Sequence, residues 1–282
     1  VFVGDMTDVF GEWVPDALLD RMFAVFAMRP DLTFQLLTKR PERMRAYVAS
    51  ERRDTQGAIA VTIREVVTPE QVTAAMQEHR THVLRDVVQR RWPLPNVWLG
   101  VSVEDQAAAD ERIPALLDTP AAVRSLSCEP LLEPVDLEPW LRRVATSGPG
   151  WRMTGGSAMA IADIVLDWVI VGGESGPGAR PCDVGWIRDI VGQCRAAEVP
   201  VFVKQLGAWG PCQKLPSGVG CFVRAGDVVL APDGKTWPVR ADLTCEGEGM
   251  GAAYRKGVYR DRKGGDPDEW PEDLRMRQYP DV

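Results

Sequence analysis

Six short apolar runs recur along the chain and predict buried β-strands. They are rich in Val, Leu and aromatic residues and lack the apolar–polar alternation of a half-exposed strand. Continuous apolar runs are typical of parallel strands that are covered on both faces. The runs are Val1–Gly4, Thr33–Thr38, Val97–Val103, Val123–Ser127, Trp168–Gly172 and Val201–Lys204.

Helical patterns occupy most of the intervals between these runs. Apolar residues repeat at helical spacing in Leu18–Phe26, Pro41–Val48 and Trp186–Cys194. A Thr-Pro-Glu-Gln capping pattern at Thr68 predicts a long helix as far as Arg90. Alternating strands and helices predict an α/β fold, either a partial (β/α) TIM-type barrel or an open doubly wound sheet.

Two regions depart from this alternation. Ser147–Ala158 is rich in Gly and Ser and predicts a loop within an insertion at 139–166, and a second insertion lies at 50–95. From Gly210 onward Gly, Pro and charged residues increase. The pattern therefore predicts a partial barrel over 1–209 and an irregular C-terminal extension over 210–282.

Composition narrows the classes of function. The chain has 282 residues and a net charge of -7, and no apolar run is long enough to span a membrane. A coat of positive charge for nucleic acid is therefore excluded, whereas a local basic cleft is not. Six cysteines without a Cys-x-x-Cys pair, and no signal peptide, favour a reducing cytoplasm.

The histidines and cysteines offer little catalytic or metal-binding chemistry. His79 and His82 fall on the predicted long helix, away from the strand ends, so a histidine-based triad or metal site is disfavoured. The helical spacing of Cys194 and the strand-end position of Cys128 favour small buried core residues. Whether Cys212, Cys221 and Cys245 bind anything stays open.

Every predicted strand turns polar at its C-terminal end, which is where both candidate folds collect function. A ring of charges there implies either mutual pairing and helix capping or a polar ligand. Lys39 and Arg40 precede a helix N-terminus, whose dipole favours anions, so an anionic partner is expected. The strand-end candidates are Asp5, Thr7, Asp8, Lys39, Arg40, Ser102, Glu104, Glu129, Glu174, Lys204, Gln205 and Trp209.

The strand-end segments also resemble a known family in their order along the chain. The segments are FVGDMTDVF, TFQLLTKRPERM, NVWLGVSVEDQ, VRSLSCEPLLEPVDL, DWVIVGGESGPGARP and PVFVKQLGAW. Together they resemble the phage gene-product 37/68 family, a domain of unknown function found in phages and prophages. The resemblance extends from Val1 to about Gly210.

The resemblance implies a radical S-adenosylmethionine-like (β/α) barrel. Members of the family carry, after their first strand, a three-cysteine loop of the kind that holds a [4Fe–4S] cluster. This sequence begins after that point, so either the gene has an upstream segment that carries the loop, which we expect, or this form is inactive. The apolar first strand would then lie at an exposed edge of the barrel.

The resemblance also implies roles by position. Asp5, Thr7 and Asp8 correspond to contacts with the amino group of the cofactor, and Ser102 and Glu104 to contacts with its ribose or methionine part. The candidate catalytic groups are Glu129, Glu174 and Lys204, and the candidate substrate contacts are Lys39, Arg40, Gln205 and Trp209. We expect all these side chains to converge on one cavity at the mouth of the barrel.

Three hypotheses for function follow. The first is a radical S-adenosylmethionine-like enzyme that acts on an anionic substrate, a nucleotide or nucleic acid. The second is a non-catalytic barrel that binds nucleic acid or protein. The third is a cofactor-free lyase or hydrolase that uses Glu129 or Glu174 as acid or base.

The spacing of the cysteines generates a first prediction. The 282-residue chain, reconstituted anaerobically with iron and sulfide, should remain colourless, whereas a form with an upstream three-cysteine segment should turn brown. The measurement is the absorption band expected near about 400 nm for iron–sulfur charge transfer. A band from the 282-residue chain itself would show that its thiols do bind a cluster.

Overall fold

Six parallel strands form one sheet in the computed structural model, as in a partial β/α barrel. Their order across the sheet is β1 (Phe2–Val3), β2 (Phe34–Thr38), β3 (Val97–Ser102), β4 (Val123–Cys128), β7 (Trp168–Gly172) and β8 (Val201–Gln205). All six strands were predicted from the apolar runs, and the prediction is confirmed to within one residue at each end. The structure describes residues 1–4, 7–50, 92–141, 151–154, 157–160, 166–176, 178–180, 182–211, 222–224, 228–230, 236–238, 263 and 265–280.

Helices follow several of the strands along the chain. They are α1 (Asp16–Met28), α2 (Pro41–Val48), α3 (Gln106–Leu117), α4 (Glu138–Leu141) and α5 (Val184–Ala196). The predicted apolar stripes of α1, α2 and α5 are confirmed, except that Leu18 at the start of α1 is exposed. The predicted helix from Thr68 to Arg90 lies outside the described residues.

Contacts within the chain define two compact units. The first comprises Val1–Ser102, Asp110–Leu126 and Arg142–Asp167, and the second comprises Val103–Ala109, Ser127–Leu141 and Trp168–Val282.

The first unit has a core of β-strand and helix side chains. Every residue of β3 is buried, as expected of a strand covered on both faces. A Cβ at Gly100 would lie 2.5 Å from Ser125 Oγ and 2.9 Å from the Ser125 carbonyl oxygen, so β3 and β4 approach closely only because this residue is glycine.

The end of α1 is fixed to the strand region by one side chain. The Asn96 amide nitrogen donates to the carbonyl oxygens of Phe26, Arg29 and Leu32 at 2.9, 3.1 and 3.0 Å. A helix leaves its last carbonyl groups without partners, and Asn96 supplies a donor for this end. At the edge of the sheet, β1 exposes Val1 and Phe2, which agrees with the predicted edge position of the first strand.

Two regions differ from the sequence-based expectations. The predicted loop at Ser147–Ala158 contains an antiparallel hairpin of β5 (Trp151–Thr154) and β6 (Ser157–Ala160). Two glycines stand between the strands in the sequence, a composition that favours a tight hairpin turn. The predicted irregular extension contains a four-stranded antiparallel sheet of β9 (Trp209–Pro211), β10 (Phe222–Arg224), β11 (Val228–Leu230) and β12 (Thr236–Pro238).

A C-terminal strap, residues 265–280, covers the open edge of β8 in the second unit. Val203 N–H donates to the Met276 carbonyl at 2.8 Å, and Gln278 N–H donates to the Val201 carbonyl at 3.1 Å. The Trp168 indole N–H donates to the Gln278 carbonyl at 2.9 Å. The strap therefore satisfies backbone groups that an edge strand would leave open to pairing with another chain.

The strap also contributes to the core. Trp270 and Leu274 are buried, although both lie in a segment with high charge. Among the residues that the structure describes, no helix combines the length and apolar character needed to cross a membrane.

We predict that ending the chain after residue 264 destabilises the second unit and causes self-association. The buried surface of Trp270 and Leu274 alone is worth roughly 3 kcal/mol or more. Thermal unfolding and light scattering would measure the two effects, with a chain that ends after residue 280 as control. An equally stable, monomeric truncated chain would contradict this role of the strap.

Candidate functional site

The first group of predicted site residues lies in the first unit and is centred on Asp8. Oδ1 of Asp8 accepts hydrogen bonds from Phe10 N–H at 2.9 Å and Thr38 Oγ1 at 2.7 Å. Oδ2 accepts from Lys39 N–H at 3.1 Å and Arg40 Nη1 at 2.8 Å. A carboxylate has about four acceptor positions, so all of them are used by the protein. We call Asp8, Thr38, Arg40 and Trp13 the Asp8 cluster.

These contacts keep Asp8 ionised. Burial by itself raises the pKa of this carboxyl, but the hydrogen bonds from Thr38, Lys39, Phe10 and Arg40 outweigh it, and the pKa is lowered. The arrangement ties the loop after β1 to the end of β2. Contact of Asp8 with a cofactor amine stays a prediction, and the four existing hydrogen bonds weigh against it.

Trp13 is a member of this cluster that the sequence analysis did not identify. Its side chain is 65% exposed, and the Arg40 guanidinium lies over its ring at 4.8 Å from the ring centre. Guanidinium groups are attracted to the negative face of an aromatic ring. The only sequence-level indication was a tryptophan in the loop that follows the first strand.

The second group lies in the second unit and is centred on Glu129, which follows β4. Its Oε2 accepts from Lys204 Nζ at 2.8 Å, and its Oε1 accepts from Gln205 Nε2 at 2.8 Å. Gln205 Nε2 also donates to the Gly173 carbonyl at 3.0 Å. The Glu129 side chain is only 13% exposed, whereas that of Lys204 is 56% exposed. We call Glu129, Lys204 and Gln205 the Glu129 cluster.

A β-bulge explains how two consecutive residues reach one carboxylate. Successive side chains of a strand normally point to opposite faces. Val171 pairs with Val203 and Gly172 pairs with Gln205, so Lys204 is an extra residue in β8. The bulge lets Lys204 and Gln205 both contact Glu129. Bulges commonly re-aim side chains next to active sites.

Glu174 forms a separate ion pair in the loop after β7. Arg180 Nε and Nη2 donate to its two carboxylate oxygens at 2.8 and 3.0 Å, and Arg180 N–H donates at 2.7 Å. The side-chain hydrogen bonds from Arg180 are the main reason that the pKa of Glu174 is lowered. At the neck of this loop, the Glu174 carbonyl accepts from Ala208 N–H at 2.8 Å.

The remaining predicted site residues are described by their exposure and their backbone contacts. Thr7 is exposed, Ser102 is buried, and Lys39 is exposed at the end of β2. Glu104 is partly exposed, and its backbone carbonyl accepts from Leu132 N–H at 2.9 Å. Asp5 and the side chain of Trp209 lie outside what the structure describes. Convergence of all these residues on one cavity stays a prediction.

The cysteines do not fit an iron–sulfur cluster in the described part of the chain. Cys128, Cys182 and Cys194 are buried, free thiols. Burial raises the pKa of Cys182 and of Cys194 to about 12, and it also raises the pKa of Cys128. Metal ligation needs the thiolate. Among the described residues, no group of His, Cys, Asp and Glu could hold a metal ion, and Cys212, Cys221 and Cys245 lie outside them.

Comparison with known families identifies a family model. A family model described as "Protein of unknown function (DUF5131)" matches residues 1–260. No curated protein and no solved structure matches the chain.

We predict that Asp8→Asn lowers the free energy of unfolding by about 2 kcal/mol at neutral pH, because an amide cannot accept from all four donors. Since the folded-state pKa of Asp8 is lowered, its stabilisation is complete above the ordinary value of 3.8 and is lost as the pH falls through the lowered pKa. The difference between wild type and variant should therefore shrink in acid.

Chemical unfolding across the acid range measures this difference. Asp31→Asn is the matched control, because Asp31 forms an exposed pair with Arg29 that should contribute little. A pH-independent difference between wild type and Asp8→Asn would contradict the assigned charge of Asp8.

Proposed function

Because the chain belongs to the DUF5131 family, whose description assigns no activity, we propose its function from the two clusters. The protein is an enzyme that acts on an anionic substrate of nucleotide or nucleic-acid type, with Glu129 and Lys204 as its central catalytic pair. The observation that carries this proposal is the bulge in β8, which brings Lys204 and Gln205 to one largely buried carboxylate.

The Glu129 cluster supports both substrate binding and proton transfer. An ammonium group has three donor hydrogens, and the structure shows a hydrogen bond from Lys204 Nζ to Glu129. Because the Lys204 side chain is more than half exposed, an anionic oxygen of a substrate can approach its remaining hydrogens. Lys204 would then donate a proton from Nζ to a leaving or developing oxyanion and be left as a neutral amine, with Glu129 keeping Nζ in position.

Gln205 and Arg180 would act as positioning residues. Gln205 holds Oε1 of Glu129 and is itself fixed by the Gly173 carbonyl, so the carboxylate is restrained before the substrate arrives. Arg180 holds Glu174 through both of its carboxylate oxygens. Restraint of this kind lowers the cost of reaching the reactive geometry. Glu174, as in the sequence-based hypothesis, is the second candidate acid or base.

Radical S-adenosylmethionine chemistry is the reaction class that the family resemblance implies. S-adenosylmethionine bound to a [4Fe–4S] cluster would supply a one-electron route to a substrate radical. The described cysteines are buried and do not fit the cluster. A cofactor-free lyase or hydrolase is the second candidate, because the Glu129–Lys204 pair can move a proton without a cofactor.

Product analysis tests the proposal. The purified protein is incubated anaerobically with free nucleotides, single-stranded DNA and RNA, with and without S-adenosylmethionine and a one-electron reductant. Mass spectrometry should detect a new product, and Lys204→Met should reduce its formation at least about 100-fold, the scale of general acid–base catalysis. Lys263→Met, at an exposed lysine, is the matched control.

Each other outcome has a defined meaning. A product that forms equally without S-adenosylmethionine and reductant would select the lyase or hydrolase. No product from the wild-type protein, or undiminished product from a folded Lys204→Met variant, would overturn the catalytic role and leave a binding barrel.

A further inference from the structure

The exposure of Trp13 and its contact with Arg40 favour a role in ligand binding. It is the most exposed of the large apolar and aromatic side chains among the described residues, at 65%. Large aromatic side chains usually bury most of their surface, and tryptophan is enriched at binding interfaces. In contrast to Val1 and Phe2, which lie at the sheet edge, Trp13 stands in the loop between β1 and α1.

The ring of Trp13 is held in place from two directions. A Cβ at Gly11 would lie 2.5 Å from Cε2 and Cζ2 of Trp13, so the ring lies close against the Gly11 backbone. The turn itself is closed by a hydrogen bond from Val14 N–H to the Gly11 carbonyl at 2.9 Å. The Arg40 guanidinium, lying over the ring, is in turn anchored to Asp8 at 2.8 Å. The exposed aromatic surface is therefore ordered before any ligand binds, which reduces the cost of binding.

Ring and cation together specify the chemistry of the ligand. An open indole surface stacks on flat aromatic systems, and every nucleobase has such a face. A guanidinium carries five N–H donors in a planar fork that suits phosphate oxygens. Arg40 Nη1 donates a hydrogen bond to Asp8, and the Arg40 side chain remains 37% exposed. A base attached to a phosphate matches both features.

We propose that Trp13 and Arg40 form a nucleobase-stacking subsite, in which the base lies on Trp13 and its phosphate on Arg40. The inference rests on the proposed function for the class of ligand, and it concerns binding by residues of the first unit alone. A free nucleotide and a nucleotide within a single strand share this chemistry. The acidic neighbours Asp8 and Asp16, which pair with Arg40 and Arg43, limit the local positive charge and favour one nucleotide over a long polyanion.

Titration calorimetry with defined probes tests the subsite. The probes are AMP, ribose 5-phosphate, and a single-stranded oligothymidylate of about ten nucleotides. Trp13→Ala should weaken AMP binding about tenfold, since stacking is worth about one such factor per base. Trp13→Phe should stay within about threefold of wild type, because phenylalanine still stacks. Binding of ribose 5-phosphate, which has no base, should not change with either variant.

Control variants separate stacking from loss of apolar surface. Val25→Ala removes an exposed apolar side chain from α1 and should leave AMP binding unchanged. Arg40→Lys keeps the charge but loses the planar fork, and should weaken both AMP and ribose 5-phosphate. If Trp13→Ala weakens binding of the oligothymidylate but not of AMP, the base that stacks on Trp13 belongs to a single strand.

Two results would overturn the subsite. One is that the wild-type protein binds neither AMP nor the oligothymidylate, and the other is that Trp13→Ala binds both as the wild type does. Product analysis of Lys204→Met makes failure of the proposed function distinguishable, because undiminished product there would overturn the catalytic role and leave the effect of Trp13→Ala on AMP binding standing. Unchanged binding of both AMP and the oligothymidylate in Trp13→Ala, together with strongly reduced product in Lys204→Met, would overturn the subsite alone.

Discussion

A carboxylate that is largely withdrawn from water must find its donors within the protein, and this requirement shapes both clusters. Asp8 and Glu129 each follow a parallel strand, and their side chains are only 15% and 13% exposed. An unpaired ion in such a place would cost several kcal/mol. Asp8 satisfies the requirement with two backbone and two side-chain donors, whereas Glu129 uses Lys204 and Gln205. The loop after β1 brings Asp8 to its donors, and the bulge in β8 brings Lys204 and Gln205 to Glu129.

The strands were predictable from sequence because the apolar run that specifies each strand is short and continuous. An unbroken run such as Trp168–Gly172 can be buried on both faces only in a sheet of this kind, and it forms a strand with those bounds. The strands β9–β12 were not predicted, because each has three residues and none forms a long apolar run. Their pairing depends on neighbours in the sheet more than on local composition.

The site was predictable in its residue types but not in its pairing. The polar ends of the strands identified Asp8, Arg40, Glu129 and Lys204. The partners lie far apart along the chain: Asp8 and Arg40 are separated by 32 positions, and Glu129 and Lys204 by 75. The bulge at Lys204 follows from the register of β7 and β8, which no spacing in the sequence encodes. Trp13 was missed because its significance lies in exposure, and exposure is a property of the folded chain.

The two cations suit different tasks, although each is held by one carboxylate. A guanidinium has a fixed planar fork and keeps its proton, so Arg40 is adapted to orienting a flat ring and a phosphate. An ammonium is a compact charge on a flexible stem and can exchange its proton when its surroundings change. Lys204, more exposed than the carboxylate that holds it, has the freedom to follow a reacting oxygen. The chemistry of the side chains therefore favours anion binding by Arg40 and proton transfer by Lys204, each within its own unit.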